Sequence, residues 1–151
     1  MSTVRLRTGD WATLGDEASR VRTEVFVLEQ GIRAEDEWDA ADAECLHCVA
    51  YDGARAIGTG RLLPDGHVGR MAVLAAYRGA GVGSVILRAL VRAAGDRGDR
   101  EVVLNAQCQV VAFYARHGFE LRGEPYDEVG IPHQTMFLRL AGEQRSDGPV
   151  G

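Results

Sequence analysis

The sequence predicts a single α/β (α+β) domain in which helices pack on one mixed sheet. Three observations predict it. The chain has 151 residues, 46% of them apolar, and a chain of this length buries roughly two-thirds of its unfolded surface in one core. Strand-like and helical periodicities follow one another in the order β-α-β-β-β-α-β-α-β-β. No internal repeat, low-complexity block or long linker divides the chain.

Taken in order, Val4 and Leu6 alternate with polar residues, as in a short strand. Leu14, Ala18, Val21, Val25 and Leu28 recur at spacings of four and three, which is one face of a helix, with Asp10 or Thr13 near its start. Residues 45–51 and 55–62 read as strands joined at Asp52-Gly53, a hairpin dipeptide. Pro64-Asp65-Gly66 is a second turn signal before the strand HVGRMAV at 67–73. A glycine-rich turn at 78–83 then leads into a helix carrying Val85, Ile86, Ala89, Leu90 and Ala93 on one face and ending near Gly95. Residues 101–106 form a buried-type strand, and a short helix at about 109–117 ends before Gly118. Residues 119–122 and 135–140 complete the strands, with 123–133 as a loop. The domain is expected to span 1–141, with 142–151 as a flexible tail.

Composition closes several function classes. All 17 basic residues are arginine, so Schiff-base lysine chemistry is excluded, as are the P-loop and kinase lysines. Net charge is −5, and six acids fall within ten residues: Glu35, Asp36, Glu37, Asp39, Asp42 and Glu44. The remainder is nearly neutral and shows no basic stripe of the kind nucleic-acid binding requires. The acidic run is either a solvated loop or one wall of a site for a cationic acceptor. No apolar run approaches the ~20 residues of a membrane span. The first residues, MSTVRLRTGDW, lack a signal-peptide core. A cytoplasmic protein is expected. Three cysteines form no disulfide framework.

The stretch Arg78-Gly79-Ala80-Gly81-Val82-Gly83 lies between an apolar strand and an amphipathic helix. Glycines let the backbone turn tightly and approach a ligand, and a helix N-terminus favours phosphate. Spacing alone leaves an ordinary strand–helix turn as the alternative. A dinucleotide fingerprint counted from Gly79 needs glycine where Ser84 stands, and an acid at the end of the next strand where Asn105 stands.

RGAGVG resembles the (Q/R)xxGx(G/A) pyrophosphate loop of the GCN5-related N-acetyltransferases (GNAT). The strand ending Met71-Ala72-Val73, the LNAQ at 104–107 and AFYARHGF at 112–119 fall in the expected order. Finer features resemble the ElaA-like branch: VFVLEQGI at 25–32, the acidic run, His47, and GIPHxxM at 130–136. The resemblance covers roughly residues 4–140. It implies a mostly antiparallel sheet splayed between its fourth and fifth strands, and acetyl-CoA as cosubstrate. It also implies backbone groups of Met71, Ala72 and Val73 facing the pantetheine and thioester. Arg78, Gly79, Ala80, Gly81, Val82, Gly83 and Ser84 would hold the pyrophosphate, and Asn105 would reach the pantetheine. Tyr114 occupies the family's tyrosine position near the sulfur, as a donor to the leaving thiolate; the alternative is a core-edge tyrosine.

Acceptor-side candidates are Glu29, Glu37, His47, Glu128 and His133, with a hydrogen-bonded structural role as the first reading of the two histidines. The expected function is acetyl transfer from acetyl-CoA to a primary amine by direct attack in a ternary complex; the alternative is a non-catalytic acyl-CoA-binding or sensory module. The expected partner is a small-molecule or peptide amine, with no nucleic acid and no membrane; a homodimer is admitted. Cys45, His47 and Cys48 are one ligand short of a structural zinc site, and no metal is expected.

Overall fold

The computed structural model describes residues 4–140, and the tail expected at 142–151 lies outside the described residues. Among the described residues there are eight strands: β1 (Val4–Gly9), β2 (Leu46–Asp52), β3 (Arg55–Leu62), β4 (His67–Val73), β5 (Glu101–Gln107), β6 (Glu120–Leu121), β7 (Tyr126–Glu128) and β8 (Ile131–Arg139). The helices are α1 (Trp11–Arg22), α2 (Ala34–Glu37), α3 (Val82–Asp96) and α4 (Val111–Arg116). The strands form one open, mixed sheet in the order β1-β2-β3-β4-β5-β8-β6, with β7 on β8. This is the expected fold class. Among the described residues no helix is long and apolar enough to cross a membrane.

By contact density the chain divides into two compact units. Among the described residues, one holds 4–64 together with 69–90, and the other holds 65–68 together with 91–140. In the first, Asp10 caps α1 by accepting the Thr13 N–H at 3.0 Å. Leu14, Ala18, Val21 and Val25 are buried, as their spacing predicts. The pattern then fails. The chain passes into a π-helical turn, Thr23–Glu29, in which the Gln30 N–H reaches the Val25 carbonyl at 3.0 Å. The wider turn rotates the buried face by one residue. Phe26 goes in, and Leu28, expected on the core face, is 74% exposed.

The β2–β3 hairpin closes through Gly53-Ala54, with Asp52 opposite Arg55 and Gly53 at φ +61°. On β3, a Cβ at Gly58 would meet Ile86 Cδ1 at 2.9 Å, and one at Gly60 would meet Met71 Sδ at 2.7 Å and Leu90 Cδ1 at 2.9 Å. Two glycines spaced by two therefore let the start of α3 lie directly on β3. That seating fixes where the loop before α3 sits.

In the second unit β5 buries Val102, Leu104 and Ala106, and pairs antiparallel with β8 from Glu101–Arg139 to Gln107–His133. The β8 strand therefore begins at Ile131 rather than near 135, and the expected 123–133 loop contains β7. Gly130 and Pro132 read as loop signals, but the ladder to β5 extends past them. Val129, at φ +46°, and Gly130, at φ +79°, make the tight β7–β8 turn. The parallel ladder between β4 and β5 has two pairs, His67–Val103 and Val68–Leu104, and stops there. A ladder this short is in keeping with a splay at that point.

Candidate active site

The glycine loop begins with Arg78 and runs into α3. Gly79 and Gly81 have φ of +82° and +85°, and a Cβ at either would meet nothing within 4 Å. Glycine is thus required by conformation, and the space beside the loop is open. The Val85 N–H takes the Gly81 carbonyl at 3.1 Å. The amides of Val82 and Gly83 precede this bond, at the positive end of a 15-residue helix. Open space, left-handed glycines and a helix start suit an anionic diphosphate.

Arg78 is already engaged. Its Nη1 and Nη2 donate to the two Glu29 carboxylate oxygens at 2.6 and 2.7 Å, and its Nε donates to the Val73 carbonyl at 2.9 Å. The pairing holds the Glu29 carboxyl below its usual range. Both side chains are more than 40% exposed, so the pair is screened and can exchange partners. Just upstream, Ala72 is buried, while Met71 and Val73 are partly exposed.

Half of the acidic run, Glu37, Asp39 and Asp42, is tied up with arginine. Asp42 is 1% exposed and accepts Arg22 Nη1 at 2.9 Å and Arg61 Nη1 at 2.8 Å. Asp39 accepts both Nη atoms of Arg61, at 2.7 and 2.9 Å. Glu37 accepts Arg22 Nε, and Arg70 Nε stands 3.5 Å from its carboxylate. Arg33 pairs with Glu35 and Asp36. The hydrogen bonds from Arg61 lower the Asp39 carboxyl to about 2. Burial opposes ionisation of Asp42, but Arg22 and Arg61 outweigh it. Three arginines thus balance Glu37, Asp39 and Asp42 in a structural knot, while Glu35, Asp36 and Glu44 are exposed. None of Arg22, Arg61 and Arg70 was singled out in the sequence.

His47 belongs to the same knot. It is 1% exposed, its Nε2 lies 2.9 Å from the Asp42 carbonyl, and its ring sits 4.8 Å from Trp11. Burial holds its pKa below the ordinary 6.5. Together with Asp39, this dictates an acid limb of stability. Both groups bind protons more readily unfolded than folded, so their contribution is intact above pH 6.5 and falls as pH drops. The first loss begins below pH 6.5 (His47), and a second runs from 3.8 towards about 2 (Asp39). Urea midpoints measured across pH 4 to 8 should decline below 6.5, and His47→Asn should flatten that decline.

In the second unit, Tyr114 on α4 is 7% exposed, and burial pushes its hydroxyl up to about 12. Phe113 and Phe119 meet its ring edge-on at 5.0 and 6.0 Å. Asn105 is the exposed residue in the middle of the otherwise buried β5. Its Oδ1 accepts the Thr135 hydroxyl at 2.7 Å, which leaves the amide NH₂ to donate elsewhere. His133, 9% exposed, donates from Nδ1 to the Ile131 carbonyl at 2.7 Å. That bond fixes the tautomer and leaves Nε2 as an acceptor. Tyr126 stacks on its ring at 5.9 Å. Glu128 is exposed at the end of β7.

The structure therefore brings Glu29, Val73 and Arg78 into one cluster, and Glu37 and His47 into the ion knot. Tyr114, Asn105, Glu128 and His133 stand on separate elements of the second unit.

Comparison with known proteins identifies the family. Residues 15–140 match the family described as "Acetyltransferase (GNAT) domain". The chain is 44% identical over 124 residues to the uncharacterized N-acetyltransferase YjcF of Bacillus subtilis, covering 80% of this chain and 89% of that one. Among solved structures, an acyl-CoA N-acyltransferase from Pseudomonas aeruginosa is 29% identical with a TM-score of 0.79, covering 90% of this chain and 99% of the other. Escherichia coli ElaA is 26% identical with a TM-score of 0.81, covering 89% and 99%. With the loop, the sheet order and the family match in agreement, the chain belongs to the GNAT acetyltransferase family.

Proposed function

We propose that the protein moves an acetyl group from acetyl-CoA to a primary amine of a small molecule or peptide, by direct attack in a ternary complex. The observation that carries the reading is the Arg78–Ser84 loop, with two left-handed glycines facing open space at the start of α3. Acetyl-CoA supplies a thioester-activated acyl group. In this reading the loop amides hold the diphosphate, while Arg78 adds charge by giving up Glu29 in exchange. Backbone groups of Met71, Ala72 and Val73 line the pantetheine arm, where an N–H can stabilise the oxyanion of the attacked carbonyl. The free NH₂ of Asn105 donates to the same arm.

Tyr114 faces the departing sulfur. With its hydroxyl near 12, against roughly 8.5 for an ordinary thiol, complete proton transfer is uphill. The residue therefore stabilises the thiolate as a hydrogen-bond donor. Glu29, Glu128 and the Nε2 of His133 are the groups able to take the proton from the amine. Glu37 and His47 act by holding the 34–44 segment as a wall on the acceptor side. The ElaA-like reading rests on the 25–32 and 130–136 motifs, His47 and 30% identity to ElaA over 125 residues.

Gly81→Glu tests the placement. It puts a bulky anion at φ +85°, where the diphosphate is to lie. CoA affinity by calorimetry is expected to fall below detection while the melting temperature shifts little. Unchanged affinity would remove the loop from the donor site.

A further inference from the structure

Arg70 stands inside β4 with φ +47°, in the left-handed region that side chains rarely adopt. Such a residue persists only where its surroundings hold it. Here the holding contacts are on view. Its Nε and Nη2 donate to the Glu37 carbonyl at 3.0 and 2.8 Å, and Nη2 reaches Asp39 Oδ2 at 3.3 Å. The anchor is itself fixed, because Glu37 is bound by Arg22 and Asp39 by Arg61. A flexible arginine fastened this firmly can impose a backbone conformation as well as a charge.

The location gives the kink a purpose. It is not a turn, because β4 continues to Val73. It falls two residues after the last β4–β5 pair, at Val68, and immediately before residues 71–73. Downstream, the Leu74 N–H is tied to the Ile57 carbonyl on β3 at 2.9 Å. Residues 71–73 are thus held between a left-handed residue on one side and β3 on the other. A left-handed residue in a strand breaks the pleat and redirects the peptide after it. If it relaxed to extended backbone, the peptides that follow would turn over.

We propose that Arg70 is a positioning residue for the acyl donor. Its guanidinium, anchored on the Glu37 carbonyl and Asp39, holds the kink that aims the backbone of residues 71–73 at the pantetheine arm. This rests on the donor placement proposed above. It also gives the acidic run a role at the donor: the run supplies the anchor that keeps β4 in shape for pantetheine.

The experiment compares two ligands by calorimetry: CoA, and adenosine 3′-phosphate 5′-diphosphate, which has the nucleotide and diphosphate of CoA but no pantetheine. Arg70→Ala is expected to weaken CoA by roughly 5- to 30-fold, the factor matching the left-handed penalty of an alanine, and to leave the nucleotide unchanged. Arg70→Gly accepts positive φ freely and should regain part of the CoA affinity. Arg70→Lys, a milder change, keeps the charge but not the fork on the Glu37 carbonyl, and should fall between wild type and Arg70→Ala. Equal loss of both ligands would make Arg70 a general packing residue and overturn the proposal. So would unchanged CoA affinity, or a glycine variant no better than the alanine one. A wild-type protein that binds the nucleotide but gains nothing from pantetheine would overturn the donor placement itself.

Discussion

Replacing Tyr114 with phenylalanine is expected to lower kcat by roughly 10²–10³-fold, the usual cost of losing one preorganised donor to developing negative charge. The ring contacts with Phe113 and Phe119 survive the change. Among the described residues no side chain hydrogen-bonds the hydroxyl, whose high pKa comes from burial alone. Stability and CoA affinity should therefore hold while turnover collapses. Because the hydroxyl stays protonated up to about 12, the ratio of wild-type to variant kcat should be constant between pH 6 and 9. A ratio near one would make Tyr114 a packing residue of α4. A ratio that varied steeply across that range would mean that a group titrating near neutrality acts on the sulfur instead.

The largest stability effect is expected at Asp42. Its carboxylate is 1% exposed and faces Arg22 and Arg61, whose side chains are 2% and 6% exposed. Asp42→Ala leaves two buried guanidinium groups sharing Glu37 and Asp39. Breaking a buried pair from one side costs roughly 3–5 kcal/mol, a large part of the 5–15 kcal/mol that holds an ordinary domain together. Urea unfolding at pH 7 measures it directly. Asp42→Asn keeps the shape and one acceptor and should lose less. A loss below about 1 kcal/mol, the range of a surface ion pair, would mean that the knot is solvated.

What the sequence revealed and what it hid have physical reasons. Apolar runs bounded by turn residues located β2, β3, β4 and β5, because β2, β3 and β5 are buried almost throughout and short continuous apolar runs between turns mark such strands. The glycine loop was legible because its requirement for left-handed backbone is written in residue type. Leu28 was misplaced because a π-helical turn changes the period of the helix without changing its composition. The start of β8 was missed because local signals at Gly130 and Pro132 were outweighed by pairing to β5, some thirty residues away in sequence. The same holds for the ion knot. Glu37, Asp39 and Asp42 find partners 15 to 33 positions away, and no local pattern marks Arg22, Arg61 or Arg70. One clue was available, the clustering of six acids in an otherwise near-neutral chain. Gly58 and Gly60 offered another clue: glycines two apart in a strand mark a close approach of a neighbouring element.

Amine acylation, the activity proposed above, is tested most directly by product formation from acetyl-CoA. Wild-type protein is incubated with acetyl-CoA and a panel of amines, polyamines and peptides, with free thiol and acylated amine quantified in the same samples by absorbance and mass spectrometry. One amine class is expected to yield thiol and N-acetylated product in equal amounts, and Gly81→Glu to abolish both. Tight CoA binding with no acylated product from any amine would contradict that activity, and would leave a module that binds acyl-CoA without turning it over.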